Sequence, residues 1–328
     1  MPDESDPRYL QRAWSAAHLY YVQERTMEAI AAELSTSRST VSRLLGYARS
    51  TGIVDIRITS PLDAPQLLAA RVSERFGVEA HVVPVPGAVP EVDRLDRVAV
   101  AAARVLHALV ESNLTIGVAW GSTMAAVSRH LVAKPVHDAT IVQLNGSGNT
   151  HTSGLLYASE ILGRFGAAYG ANVEQFPVPA FFDDPGTKAA VWRERSTRRV
   201  LDVQSQMGLV VFSVGSADAR VPSRVYAGGY LEPADREDLA ADGVVGDVAT
   251  VFYRQDGSSD GIPLNARATG PDFDALRRVV RRCCVVSGVS KVESLRGALA
   301  AGLVTDLVVD EETARALTED ETDAAATR

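Results

Sequence analysis

Thr115-Ile116-Gly117-Val118-Ala119-Trp120-Gly121-Ser122-Thr123-Met124 is the stretch that decides the fold. Thr115 to Ala119 reads as a short buried strand and Thr123 to Leu131 as a helix, so the chain passes from one to the other across Gly121-Ser122. The same alternation continues on both sides. Strand-like runs lie at Ala80–Val83, Thr140–Leu144, Val173–Val178, Leu209–Val214, Val248–Phe252, Cys284–Ser287 and Asp306–Val309. Helical patterns fall between most of them, at Val92–Glu111, Leu155–Tyr169, Thr187–Gln206, Pro233–Ala241 and Val292–Ala301. Apolar strands separated by helices predict an α/β domain built on a doubly wound, Rossmann-like, mainly parallel sheet.

Ligands of such sheets sit beyond the carboxyl ends of the strands, and three of those ends carry small polar residues. At the first, Gly121 lets the backbone approach a ligand, and the N–H groups of Ser122 and Thr123 point outward from a helix N-terminus, which suits a phosphate. An ordinary strand-to-helix turn has the same spacing. The second end is Gln143-Leu144-Asn145-Gly146-Ser147-Gly148. Its amides and glycines fit either a grip on sugar hydroxyls or a flexible turn. It is not GxSxG, and Gly146 and Gly148 lack the third glycine of a dinucleotide fingerprint, so hydrolase and NAD readings lose their support and no cofactor is expected. The third end is Ser287-Gly288-Val289-Ser290-Lys291. The chain holds only three lysines, Lys134, Lys188 and Lys291, among 33 basic residues; a lysine at this place is either a point charge for a phosphate or a solvated surface group. Asp247, after Gly246, is a candidate for sugar hydroxyls or a plain turn residue. Arg220 and Arg224 can reach a phosphate or a neighbouring subunit. The six histidines show no metal-ligand spacing, and adjacent Cys283 and Cys284 read as core, so no metal site is expected.

Upstream, the chain reads differently. Tyr9 to Arg25 has one apolar helical face, Thr26 caps a short helix through Leu34, and Ser35-Thr36-Ser37 breaks it before a third helix running from Ser37 or Arg38 to Ala48. Ile53 to Ile58 alternates as a short strand does. Two short helices, a tight turn and a β wing make a winged helix-turn-helix, whose second helix enters the major groove of DNA. Ser37, Arg38, Ser39, Thr40, Ser42 and Arg43 are then the DNA-binding candidates: hydroxyls approach phosphates closely, and arginine makes bidentate contacts to guanine. A capped surface helix with solvated arginines is the plainer alternative. Ser60-Pro61-Leu62-Asp63-Ala64-Pro65 is the linker, giving a DNA-binding domain over 1–60, an effector domain over 61–318 and a biased tail over 319–328.

The 328 residues suit two domains, and 46% hydrophobic with 23% charged residues provide for a core. A net charge of −8 argues against one broad basic face coating nucleic acid. Residues 1–60 nevertheless hold seven arginines against seven acidic residues, and Arg38, Arg43, Arg49 and Arg57 face only Asp55 within 36–57. No apolar run reaches membrane-spanning length. The acidic N-terminus lacks a secretory layout, so a cytoplasmic protein is expected.

From about Ala13 to Leu317 the chain resembles the SorC family of bacterial sugar-responsive transcriptional regulators. The resemblance is carried by Met27-Glu28-Ala29-Ile30-Ala31 with Ser39-Thr40-Val41-Ser42-Arg43-Leu44-Leu45, then Gly117 to Thr123, Val142-Gln143-Leu144-Asn145-Gly146 and Gly243-Val244-Val245-Gly246-Asp247. Leu264-Asn265-Ala266-Arg267 and Gly302-Leu303-Val304-Thr305-Asp306-Leu307-Val308-Val309-Asp310-Glu311 complete it. It implies an effector domain like sugar-phosphate isomerases, a homo-oligomer, usually a tetramer, operator DNA near catabolic genes as partner, and a phosphorylated sugar or polyol as effector. It assigns phosphate contacts to Gly121, Ser122, Thr123, Lys291 and Arg224, and hydroxyl contacts to Gln143, Asn145, Gly146 and Asp247. Some relatives place an imine-forming lysine in the loop after the second of these strands. Asn145 stands there, so binding is expected to be noncovalent. The alternative is an isomerase-like enzyme with a DNA-binding head, for which Asp247 alone is a thin candidate base.

Overall fold

The structure, a computed structural model, describes residues 7–51, 53–54, 65–86, 89–217, 219 and 223–319. The chain divides into two compact units, residues 1–62 and 63–328.

In the first unit, helix α1 (Pro7–Ala17) runs into one π-helical turn (His18–Val22), followed by α2 (Met27–Glu33) and α3 (Arg38–Ser50). Local chemistry sets the boundaries. The Thr26 hydroxyl accepts the Ala29 N–H at 3.2 Å and so caps α2, and the Ser37 hydroxyl accepts the Thr40 N–H at 3.2 Å and caps α3. Between them Ser35 takes a φ of 48°, which stops α2. Ala13, Ala16 and Ala17 let α1 approach the apolar faces of α2 and α3, where Ile30, Val41, Leu44 and Ala48 are buried. Most of the expected wing strand, 55–58, lies outside the described residues; Ile53 and Val54 form a bend, with the Val54 N–H on the Ala48 carbonyl at 3.0 Å. Most of the expected linker and all but the first residue of the tail also lie outside them, as does Arg220.

In the second unit the described elements are α4 (Pro65–Phe76), β1 (Glu79–Val83), α5 (Glu91–Leu109), β2 (Thr115–Val118), α6 (Ser122–Arg129), β3 (Thr140–Gln143), α7 (Leu155–Tyr169), β4 (Asn172–Glu174), α8 (Pro185–Val191), α9 (Arg195–Gln204), β5 (Met207–Phe212), β6 (Val214–Gly215), α10 (Arg224–Ala227), α11 (Pro233–Ala241), β7 (Val244–Val248), β8 (Val251–Arg254), α12 (Phe273–Arg278), β9 (Arg281–Val286), α13 (Val292–Ala300), β10 (Asp306–Asp310) and α14 (Glu311–Thr318). Seven strands form a parallel sheet in the order β1-β10-β9-β5-β2-β3-β4. Its central strands are near-continuous apolar runs because both faces are covered: Ile116, Ile141, Val210, Val285 and Val308 are all fully buried. From β2 the chain steps outward through β3 to β4, then returns to β5 on the other side of β2 and steps outward through β9 and β10. The switch point is therefore the crevice between β2 and β5.

A second, antiparallel sheet, β6-β7-β8, follows directly on β5. It corrects one expectation. Val248–Phe252 is not one strand but the end of β7, a two-residue turn and the start of β8. The turn is Ala249-Thr250 with φ of 48° and 72°. Two positive φ values fit a tight hairpin, but such turns are written Asn-Gly or Asp-Gly, and a β-branched Thr there is strained. Thr187–Gln206 is likewise not one helix. It breaks into α8 and α9 where Trp192 turns inward against Phe176 and Phe182, with ring centroids 5.6 and 5.8 Å away.

Candidate effector site

The cleft lies at the switch point, beyond the carboxyl ends of β2, β3, β5 and β9, with the small sheet along one side; it is narrow and half-open, with a cavity of about 40 Å³. Gly121, Ser122, Thr123, Asn145, Arg224, Asp247 and Lys291, scattered over 170 positions of sequence, all line it. Ser213, Gly215, Ser223 and Thr250 join them.

One end of the cleft attracts anions. Gly121 ends β2 with a φ of 148°, a conformation for which glycine is suited, and opens α6 without a side-chain cap. The first intrahelical bond is that of Ala125 N–H to the Gly121 carbonyl, so the N–H groups of Ser122, Thr123 and Met124 are left for an acceptor in the cleft. Lys291 ends a single 3-10 turn (Val289–Lys291) and stands just before α13. It is only 7% exposed, and among the described residues its ammonium has no hydrogen-bond or ion-pair partner. Burial pushes its pKa down, opposed by Cys284 and Asp247 nearby. A buried lysine without a direct ion-pair partner is costly to keep charged, and an anion placed beside it lowers that cost. Arg224, exposed, adds its guanidinium from α10.

The other end offers acceptors. Asp247, 4% exposed, accepts the Thr250 N–H on Oδ2 at 3.1 Å, while Oδ1 is buried without a partner; the Asn145 side-chain oxygen is buried and unpartnered as well. Two orphan acceptors in one cleft suit the hydroxyl groups of a ligand. Burial raises the Asp247 carboxyl to about 6, opposed by the Thr250 N–H and Lys291. Gly215 makes this geometry possible: a Cβ there would lie 1.9 Å from Asp247 Oδ1. Gly215→Ala is expected to displace the carboxylate, to lower stability by about 1–3 kcal/mol as overpacking does and to abolish ligand binding. A melting curve with and without ligand checks both effects, and a variant that binds as the parent does would remove Asp247 from the site.

Two expected contacts are not in the cleft. The Gln143 amide bridges within the fold, Nε2 donating to the Asn145 carbonyl at 2.7 Å and Oε1 accepting the Phe176 N–H at 3.2 Å. Gly146 donates its N–H to Thr269 Oγ1 at 3.0 Å, and a Cβ there would meet the Pro179 carbonyl oxygen at 2.1 Å. Both residues position Asn145 rather than touch the cleft. Trp120, not foreseen, also positions Asn145 but lines the cleft itself: its indole N–H donates to the carbonyls of Asn145 (3.2 Å) and Gly146 (2.9 Å), and its ring packs on Tyr230 at 5.1 Å. Cys283 and Cys284 are buried free thiols, as expected for core.

In the helical unit, Ser37, Arg38, Ser39, Ser42 and Arg43 are exposed and Thr40 is half-buried. The Ser37 hydroxyl is engaged with Ser39, Thr40 and the cap of α3, and Arg38 pairs with Glu28 at 3.0 Å. Among the described residues Arg43 contacts only the Thr40 hydroxyl, at 3.3 Å, which leaves it the freer arginine there. No described helix is long and apolar enough to cross a membrane.

Comparison with known proteins agrees with this architecture. Residues 60–319 match the family model described as "Putative sugar-binding domain". The chain is 32% identical over 313 residues to the deoxyribonucleoside regulator of Bacillus subtilis, covering 94% of this chain and 98% of that protein. It is 57% identical, with a TM-score of 0.75, to a domain of a "possible sugar-binding transcriptional regulator" from Arthrobacter aurescens TC1, covering 80% of this chain and all of that one. The full-length sorbitol operon regulator of Klebsiella pneumoniae shares the fold, with a TM-score of 0.71 at 23% identity over 94% of this chain and 99% of that one. A helical head joined to a parallel α/β ligand domain with its cleft at the switch point defines, with these relatives, a transcriptional regulator carrying a sugar-binding domain. The chain belongs to the SorC family of sugar-binding transcriptional regulators. These relatives are regulators rather than enzymes, and the isomerase alternative is set aside.

Proposed function

We propose that the protein regulates a carbohydrate or polyol catabolic operon in the cytoplasm, binding operator DNA through a winged helix-turn-helix and releasing or holding it in response to a phosphorylated sugar or polyol. The observation that carries this reading is the division of one cleft into an anion-seeking end (Ser122, Thr123, Lys291, Arg224) and an acceptor end (Asn145, Asp247). A phosphoryl group on a short polyhydroxy chain meets both. No lysine other than Lys291 lines the cleft, and binding is taken as noncovalent. Relatives named for the sorbitol operon and for erythritol catabolism support a carbohydrate or polyol effector. The working state is a homo-oligomer, a tetramer, in which effector binding favours one quaternary arrangement and so sets the spacing of the DNA heads.

A thermal-shift screen against phosphorylated and unphosphorylated sugars and polyols tests the effector. A hundredfold excess of ligand over Kd adds about 2.7 kcal/mol of stability. Shifts confined to unphosphorylated compounds would overturn the phosphate assignment. For the head, Arg43→Ala is expected to cost about 1–3 kcal/mol of operator affinity and to relax specificity at one base pair. Fluorescence anisotropy with duplexes selected from a random library reads this, and unchanged selectivity would remove Arg43 from base readout.

A further inference from the structure

Arg224 enters the cleft from a helix of a single turn, and its side chain is exposed. A long, exposed arginine usually samples many rotamers and contributes little directed binding. Here its guanidinium carbon lies 3.8 Å from the centroid of the Tyr157 ring, a stacked contact. No carboxylate pairs with it among the described residues. Tyr157 comes from α7, a different element, and is half-buried against the main core. The platform is therefore fixed by packing while the group it carries is not. Stacking occupies only the face of a guanidinium; the N–H groups in its plane stay free to donate. The adjoining Trp120–Tyr230 stack holds itself, because the Tyr230 hydroxyl donates to the Ser147 carbonyl at 2.9 Å, so Tyr157 has no evident task there.

We propose that Tyr157 is a positioning residue of the cleft: its ring fixes the plane of Arg224 so that the guanidinium edge meets a phosphoryl group, and this selects a tetrahedral phosphoryl end over a carboxylate end. The proposal rests on the phosphate reading above. A phosphoryl end has three free oxygens, and the cleft presents three separate donor groups: the α6 N-terminus, Lys291 and the Arg224 edge. A carboxylate has two oxygens and leaves one donor group unmatched. Lysine in place of Arg224 keeps the charge but has no plane to stack and no fork to align.

The test is calorimetric titration of the full chain with inorganic phosphate, glycerol 3-phosphate, glycerol and glycerate. The parent, Tyr157→Phe, Tyr157→Leu, Arg224→Lys and the Tyr157→Leu/Arg224→Lys double variant are compared. Tyr157→Phe is expected to bind phosphate nearly as the parent does. Tyr157→Leu is expected to lose about tenfold in affinity for both phosphate compounds and much less for glycerate, in the range of a stacked cation. Arg224→Lys is expected to lose as much, and the double variant no more than either alone. Should Tyr157→Leu fail to fold, Tyr157→Met, of similar bulk and without a π face, gives the same reading. Equal losses for glycerate and phosphate, or additive losses in the double variant, would overturn the proposal. A parent that binds glycerol 3-phosphate no better than glycerol would overturn the phosphate reading itself.

Discussion

Lys291→Met is expected to abolish the response to effector while leaving the ligand-free protein at least as stable as the parent. The two halves of this expectation have one cause. Lys291 is almost fully buried, with no hydrogen-bond or ion-pair partner among the described residues and a pKa pushed down by burial, against the pull of Cys284, Asp247 and Glu91. Truncating a buried charge that pairs with a ligand charge costs about 2–5 kcal/mol of binding, or at least tenfold in Kd. In the ligand-free state the same substitution removes a desolvated charge and keeps the apolar stem, so the ligand-free fold is expected to hold or gain stability. Melting curves read both: the ligand-free transition stays or rises, and the shift caused by the effector disappears. A methionine variant that melts lower and still shifts with effector would make Lys291 a structural residue and sink the anion site.

The second large effect is expected at Asp247, and it depends on pH. Its carboxyl titrates at about 6 in the fold against about 3.9 in an unfolded chain. Between those values the folded chain holds a proton that the unfolded chain has released, so stability falls as pH rises from 4 to 6. Below about 4 and above about 6 it levels off. The full difference is about 3 kcal/mol, at 1.36 kcal/mol per unit. Asp247→Asn is expected to remove this slope, so that the variant gains on the parent at pH 7 and not at pH 4, as denaturant melts at the two values will show. Ligand hydroxyls donate to the ionised form, so effector affinity is expected to weaken below pH 6 in the parent. In the asparagine variant it is low at every pH. An unchanged pH profile of stability in Asp247→Asn would show that this carboxylate does not carry the strain assigned to it.

The places of the central strands along the chain and the small residues at three strand ends were legible because buried parallel strands write themselves as plain apolar runs, Ile116 and Val118 or Val308 and Val309. The placing of Gly121, Ser122, Thr123, Asn145 and Lys291 at one cleft followed from the rule about strand ends, whereas Asp247, inside β7, was assigned only through the family resemblance. What failed was chemistry that depends on partners distant in sequence. Gln143 is as polar as Asn145 and two residues away, but Gln143 ends β3 and its amide bridges to Phe176, while Asn145 lies past the strand and faces the cleft. The hairpin at Ala249-Thr250 lacks the turn residues by which hairpins are recognised, because tertiary contacts hold it: Gly270 is so close that a Cβ there would meet the Ala249 carbonyl oxygen at 1.9 Å. Trp120 and Tyr157 give no signal in the sequence, since neither the carbonyls under one nor the guanidinium over the other can be inferred from spacing.

The edge of the sheet also bears on how the protein is made. β1, the first strand of the ligand domain, pairs along its whole length with β10, the last, from Glu79 opposite Asp306 to Val83 opposite Asp310. During synthesis β1 therefore waits for its neighbour until more than two hundred further residues have emerged, and contacts of such separation form slowly. The helical head, whose core is built from residues within one short segment, is able to fold long before. A ribosome that stops early releases a head without a sensor, so the order of the two units along the gene makes complete translation a condition of ligand control.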